Sequence, residues 1–184
     1  MKKPAPVPRE FVFSRDQVDA IFRETDDAFL LFVAMLSMSG ARPYEVRTVT
    51  AADCRDECRT WYWERAKKGK PRIVYLPKPV QEICRTLVAQ RPTGPLLLNA
   101  RGKPWTRNAI FLRMRRLRTK LNLPAGAVAY ALRHTFATDA LEKGLDVLTV
   151  AKLMGHSNTE MLAKVYAHLR DPHLSAAADR AAGR

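Results

Sequence analysis

The sequence predicts an α+β fold, mainly α-helical, with one small three-stranded antiparallel sheet set among the helices. Apolar residues recur at helical spacing before Arg47 and again after Pro79, whereas β-branched and aromatic residues take over from Arg47 to Pro77. In addition, 47% of the 184 residues are hydrophobic, enough to build a sizeable core, most simply as one domain, with two small ones as the alternative.

The elements follow in order. Residues 1–13 are proline-rich and basic, with too little to bury, and read as a linker or extended arm. Ser14-Arg15-Asp16-Gln17 is a capping-box pattern that opens a first helix bearing Val18, Ile21 and Phe22. A second helix is expected from near Asp26 to Ser39, apolar nearly all round and therefore buried, and stopped by Gly40. Pro43 suits the first turn of a short third helix, which places Arg42 beside free N–H groups that favour an anion. Thr48-Val49-Thr50, Thr60-Trp61-Tyr62-Trp63 and Ile73-Val74-Tyr75-Leu76 are the three expected strands. Lys67 to Pro71, with Gly69 available for positive φ, reads as a hairpin turn with lysines at its tip. Val80, Ile83, Cys84, Leu87 and Val88 return to helical spacing until Arg91 to Pro95 breaks it. Thr106 to Leu121 is a very basic helix whose charges fall on more than one face. Three helices follow Pro124: Ala131 to Lys143, Val147 to Met154, and one opened by the capping box Ser157-Asn158-Thr159-Glu160 that would carry Tyr166. Residues 175–184 form an Ala-rich tail, which leaves 14–174 as the body of the chain.

Composition narrows the classes of partner. With 32 Lys+Arg against 18 Asp+Glu, the formal net charge is +14, which draws the chain to polyanions. Charge alone does not separate DNA binders from ribosomal or membrane-surface proteins. Cys54, Cys58 and Cys84 are odd in number and lack a C-x-x-C pair, so neither a disulfide framework nor a structural zinc site is suggested, and a reducing cytoplasm fits. No signal peptide is evident, and the longest apolar run, Ala28 to Leu36, is far too short to span a bilayer.

Arg42, Lys67, Arg133, His156 and Tyr166 occur in an order suited to attack on a phosphodiester without a metal. The fork of arginine matches two phosphate oxygens, lysine can give up a proton, and tyrosine can form an ester with phosphorus. Singly, each has an ordinary meaning. Arg42 with Glu45 resembles a surface pair, His156 a cap residue, and Tyr166, in line with Leu162 and Leu169, a core tyrosine. Arg133 stands out, since a guanidinium within an apolar helix is costly unless an anion or carboxylate meets it.

Joint occurrence changes that reading. Ser39-Gly40-Ala41-Arg42-Pro43-Tyr44-Glu45, the Lys67 to Leu76 hairpin, Leu132 to Thr138, Leu153 to Asn158 and Val165-Tyr166-Ala167-His168 resemble, in order, five motifs of the catalytic domain of the tyrosine recombinases, the phage integrase family. The resemblance covers about residues 14–170. It implies a mainly α-helical catalytic domain of the DNA breaking-rejoining type, a site-specific DNA recombinase that needs no cofactor, metal or ATP. Arg42 and Arg133 would clamp the non-bridging oxygens of the scissile phosphate, and Lys67 would protonate the departing 5′-oxygen. His156 would contact the phosphate or help deprotonate Tyr166, which would hold the DNA as a 3′-phosphotyrosyl ester. Glu45 would brace the site from behind. Double-stranded DNA is the implied partner, with Lys68, Lys70, Arg107, Arg113 and Arg116 as phosphate contacts and self-association into a synaptic tetramer on the DNA. The location would be the cytoplasm, at the nucleoid.

Two departures matter. Tyr130 stands where the family usually has His or Lys; a phenol can donate to a phosphate oxygen but cannot carry imidazole's charge. Nothing before Ser14 matches the helical DNA-binding domain that usually precedes this one, so the chain reads as an isolated catalytic domain or a naturally short protein. Alternatives from other classes are a type IB topoisomerase-like relaxing enzyme and a non-catalytic DNA-binding relative.

Overall fold

The computed structural model describes residues 11–64 and 71–155. The chain divides into two compact units, Met1–Phe136 and Ala137–Arg184.

The first unit opens with α1 (Arg15–Arg23), set by the reciprocal capping box in which Ser14 accepts from the Gln17 backbone and Gln17 accepts from the Ser14 backbone. Asp26 caps α2 (Asp27–Ser39), the central helix, which buries Phe29, Phe32, Val33, Met35 and Leu36. Phe29 and Phe32 stack at 5.6 Å and both meet Trp105, at 5.2 and 6.1 Å, forming the aromatic centre of the core. Gly40 ends α2 in the left-handed region at φ 61°, and a Cβ there would collide with the Phe136 ring.

After Gly40 the chain turns at once into α3 (Pro43–Thr48). The expected strand at Thr48-Val49-Thr50 is not formed. Thr48 closes α3, Val49 is its C-cap, Thr50 makes only an isolated bridge to Pro95, and the first strand, β1 (Cys54–Arg55), begins after a 3-10 turn at Ala51–Asp53. The Pro43 start and the Glu45 side chain folded back on the Arg42 N–H favour helix here over the β preference of Thr-Val-Thr. β2 (Thr60–Trp63) and β3 (Arg72–Tyr75) complete the antiparallel sheet in the order β1-β2-β3, with Trp61 opposite Val74 and Trp63 opposite Arg72. The connection from β1 to β2 passes through Asp56, Glu57 and Cys58, all at positive φ.

α4 (Lys78–Gln90) and α5 (Arg107–Lys120) follow, and α6 (Ala129–Glu142) starts two residues earlier than its apolar spacing suggested. Residues 11–13, expected in an extended arm, pack on this core instead. Phe13 is buried, its ring meets Phe11 edge-on at 4.9 Å, and its N–H donates to Thr135 Oγ1 at 2.9 Å. The apolar pair Phe11 and Phe13 outweighs the proline-rich character of what precedes it.

In the second unit, the end of α6 and α7 (Val147–Met154) share a small cluster of Ala137, Ala140, Val150, Ala151 and Met154. Asp146 caps α7, and Gly155 ends it at φ 64°, the stop that the sequence predicts. The helix expected after Ser157 and the Lys67 hairpin tip lie outside the described residues.

Candidate active site

The turn between α2 and α3 brings the two arginines together. Ser39 Oγ donates to the Met35 carbonyl at 2.6 Å and accepts from the Ala41 N–H at 3.2 Å, which holds the chain as it leaves α2. The Gly40 carbonyl accepts a hydrogen bond from Arg133 Nη1, so the second arginine is anchored two residues from the first. Arg133 is fully buried. Burial, followed by the charge of Arg42, brings its pKa down to about 10, while Tyr130 and Glu45 act in the opposite direction.

Glu45 is the carboxylate of the cluster. Its Oε2 accepts from the Arg42 N–H at 2.7 Å, and its Oε1 accepts from Arg42 Nη1 at 2.7 Å and from Arg72 Nε at 3.3 Å. The N–H groups that the sequence suggested would face an anion are thus met by Glu45 itself at Arg42. Burial pushes the Glu45 carboxyl up, but Arg72 and then Arg42 hold it below the ordinary carboxylate range. Among the described residues, three guanidinium charges gather around this one carboxylate, leaving the cluster positive overall. Such an excess of largely buried positive charge is suited to an anion held by several charge-assisted hydrogen bonds.

Beside the cluster lies a cleft of about 450 Å³ between α3, α5 and the start of α6. Ile110 and Met114 line it together with Arg42 and Tyr130, and Arg107 and Arg115 add charge. Tyr130 is 42% exposed, and its ring packs edge-on against His134 at 5.0 Å. Arg47 lies over the Tyr44 ring at 4.8 Å, a cation–π contact at the same cleft.

The basic helix α5 divides its charges by face. Arg107, Phe111, Arg115 and Arg118 recur at helical spacing and all line the cleft. On another face, Arg113 pairs with Asp26 and Lys120 with Glu24, the latter at 2.5 Å. Of the arginines picked from the sequence as DNA contacts, Arg107 lines the cleft, Arg113 is engaged by Asp26, and Arg116 is exposed outside the cleft lining. Arg115 and Arg118 belong to the basic helix that the sequence marks as a candidate phosphate-facing element, whereas the sequence assigns no role to Arg47 or Arg72. For Arg72 the strand alternation was the available signal, since it shares the inward face of β3 with Val74. Arg42, Glu45, Tyr130 and Arg133 lie near one another, whereas Lys67, Lys68, Lys70, His156 and Tyr166 lie outside the described residues.

The phage integrase family model matches residues 12–173, and the chain belongs to that family. Tyrosine recombinase XerC of Mesorhizobium japonicum is 37% identical over 135 residues, covering 68% of this chain and 42% of the relative. Tyrosine recombinase XerD of Staphylococcus saprophyticus is 34% identical over 101 residues, covering 55% of this chain and 34% of its own. The chain therefore spans less than half the length of these curated relatives. Among solved structures, the catalytic domain of bacteriophage HP1 integrase is similar at a TM-score of 0.65 and 24% identity, covering 91% of this chain and 93% of that one. XerA recombinase is similar at a TM-score of 0.69 and 22% identity, covering 92% of this chain and 64% of that one. The fold is that of a tyrosine recombinase catalytic domain, mainly helical with a small antiparallel sheet.

Proposed function

We propose that this chain is the catalytic domain of a site-specific DNA recombinase that cuts and rejoins DNA through a 3′-phosphotyrosyl bond. The observation that carries this reading is the cluster of half-buried Arg42 with buried Glu45 and Arg133, and its excess of positive charge beside a basic cleft. The phenol oxygen of Tyr166 attacks the scissile phosphorus, and a P–O bond forms as the bond to the 5′-oxygen breaks. Arg42 and Arg133 offset the charge that builds on the non-bridging oxygens, where donors fixed beforehand act most strongly. Lys67 gives its proton to the departing 5′-oxygen, a poor leaving group without one. His156 contacts the phosphate or helps take the proton of Tyr166, whose ordinary pKa of about 10 leaves it protonated at neutral pH. Tyr130 donates its hydroxyl proton toward a phosphate oxygen. The ester conserves the energy of the phosphodiester, so a free 5′-hydroxyl reverses the step without ATP.

The partner is double-stranded DNA, held through Lys68, Lys70, Arg107, Arg116 and the cleft arginines, with self-association into a synaptic tetramer. XerH recombinase, bound to palindromic difH substrate in a post-cleavage complex, is similar in fold at a TM-score of 0.71 and 20% identity over 97% of this chain and 55% of that one. Among the described residues no helix is long and apolar enough to cross a membrane; we place the protein in the cytoplasm, at the nucleoid. Strand exchange between two differently labelled duplexes tests the reading: joint products carrying both labels are expected. Relaxation of supercoiled DNA without exchange would favour a type IB topoisomerase, and binding without either would favour a non-catalytic relative.

A further inference from the structure

Arg72 opens β3, and strand alternation turns it inward with Val74 while Ile73 and Tyr75 face out. Only 6% of it is exposed. A guanidinium taken out of water is costly unless its donors are met. Its Nη1 donates to the Ile73 carbonyl at 2.7 Å, which pins the head to its own strand, and its Nε donates to Glu45 Oε1 at 3.3 Å. Glu45 in turn holds both the N–H and the Nη1 of Arg42, each at 2.7 Å. One carboxylate therefore ties the sheet to the start of α3.

We propose that Arg72 is a positioning residue that fixes the Glu45 carboxylate between β3 and α3, and so sets the orientation of the Arg42 guanidinium toward the scissile phosphate. The inference rests on the recombinase reading. Arg42 is the more exposed partner, with one third of its side chain accessible, so it has more freedom to swing than Arg72 has. Among the described residues, the charges facing Glu45 are Arg42 at the start of α3, Arg72 from β3 and, through its field, Arg133 from α6. With Arg72 removed, the buried carboxylate keeps its burial cost and loses the leading charge that offsets it. Glu45 then binds a proton more readily and releases Arg42.

Single-turnover cleavage of a nicked duplex at saturating DNA tests this with the whole chain. Arg72→Met is expected to slow cleavage on the order of a hundredfold while salt-dependent DNA binding changes by less than about threefold. A substrate with sulfur as the bridging 5′-atom should not rescue it, because the leaving group is not what fails. In a Glu45→Gln background the same substitution should cost less than about threefold, the sign of two residues acting as one unit. Arg72→Lys, which keeps a charged donor for Glu45, should recover to within about tenfold of wild type. If Arg72→Met does not fold, Arg72→Lys takes its place in the cycle with Glu45→Gln, and its smaller loss should again vanish there. Equal losses with and without Glu45, or rescue by the sulfur substrate, would overturn the proposal. A second readout needs no DNA: the Glu45 side-chain carboxyl, followed by carbon NMR, should titrate at higher pH in the Arg72 variant. An unmoved titration overturns the linkage. A displaced titration in a protein whose wild type forms no DNA adduct would instead sink the recombinase reading and uphold the tie between Arg72, Glu45 and Arg42.

Discussion

Arg133 has no exposed surface, yet it remains charged at neutral pH because burial and Arg42 bring its pKa down only to about 10. A charged group in that position is suited to an anion, and its hydrogen bond to the Gly40 carbonyl holds the guanidinium in place. Arg133→Ala is therefore expected to reduce cleavage by on the order of a hundredfold or more, while DNA affinity and its salt dependence stay nearly intact, since one phosphate contact among many adds little. Cleavage at the wild-type rate would remove Arg133 from the chemistry. Loss of binding in parallel would make it structural. The sequence exposed Arg133 because an arginine in an apolar helix is conspicuous, and the motif order exposed Arg42. Arg72 was hidden in plain view, as an inward residue on a strand whose far end only the folded sheet identifies.

At the scale of elements, helix punctuation was the most readable signal. Ser14, Asp26, Thr106 and Asp146 each accept a backbone N–H at the start of a helix, and Gly40 and Gly155 each end one in the left-handed region. Where local propensity met a cap, the cap prevailed, which is why Thr48 closes α3 instead of opening a strand. The turn through Asp56, Glu57 and Cys58 was not legible, because three successive non-glycine residues at positive φ carry no turn signature and persist only if the surrounding fold imposes them. The Gly40 turn joins element to function. Gly40→Ala is expected to destabilise the fold by about 2 kcal/mol or more, through the strained φ and the Phe136 collision together. Because the same peptide accepts from Arg133, cleavage by the remaining folded protein should also fall. Chemical denaturation alongside the cleavage assay checks both; an unchanged midpoint would show that the turn relaxes freely.

For the molecule as a whole, the ion cluster links stability to acidity. The folded-state pKa of Glu45 lies below its ordinary value of 4.5, so its contribution is present above that value and is lost as pH falls through the folded-state pKa. The thermal midpoint should decline as pH falls below the ordinary carboxylate value, and Glu45→Gln should decline less, because it has no such proton to take up. An equally steep decline in Glu45→Gln would place the acid sensitivity elsewhere. The mainly helical character and the small sheet were evident in the change of hydrophobic period.

Tyr166 carries the central claim, that this chain holds DNA by a covalent phosphotyrosyl bond. The direct measurement is denaturant-stable adduct formation on a labelled nicked duplex with EDTA present, comparing wild type with Tyr166→Phe. The wild-type protein should be retained on the labelled strand, with the nucleotide mapped to the Tyr166 peptide, and Tyr166→Phe should yield no adduct. An adduct in Tyr166→Phe, or a wild-type reaction that requires a divalent metal, would contradict the account.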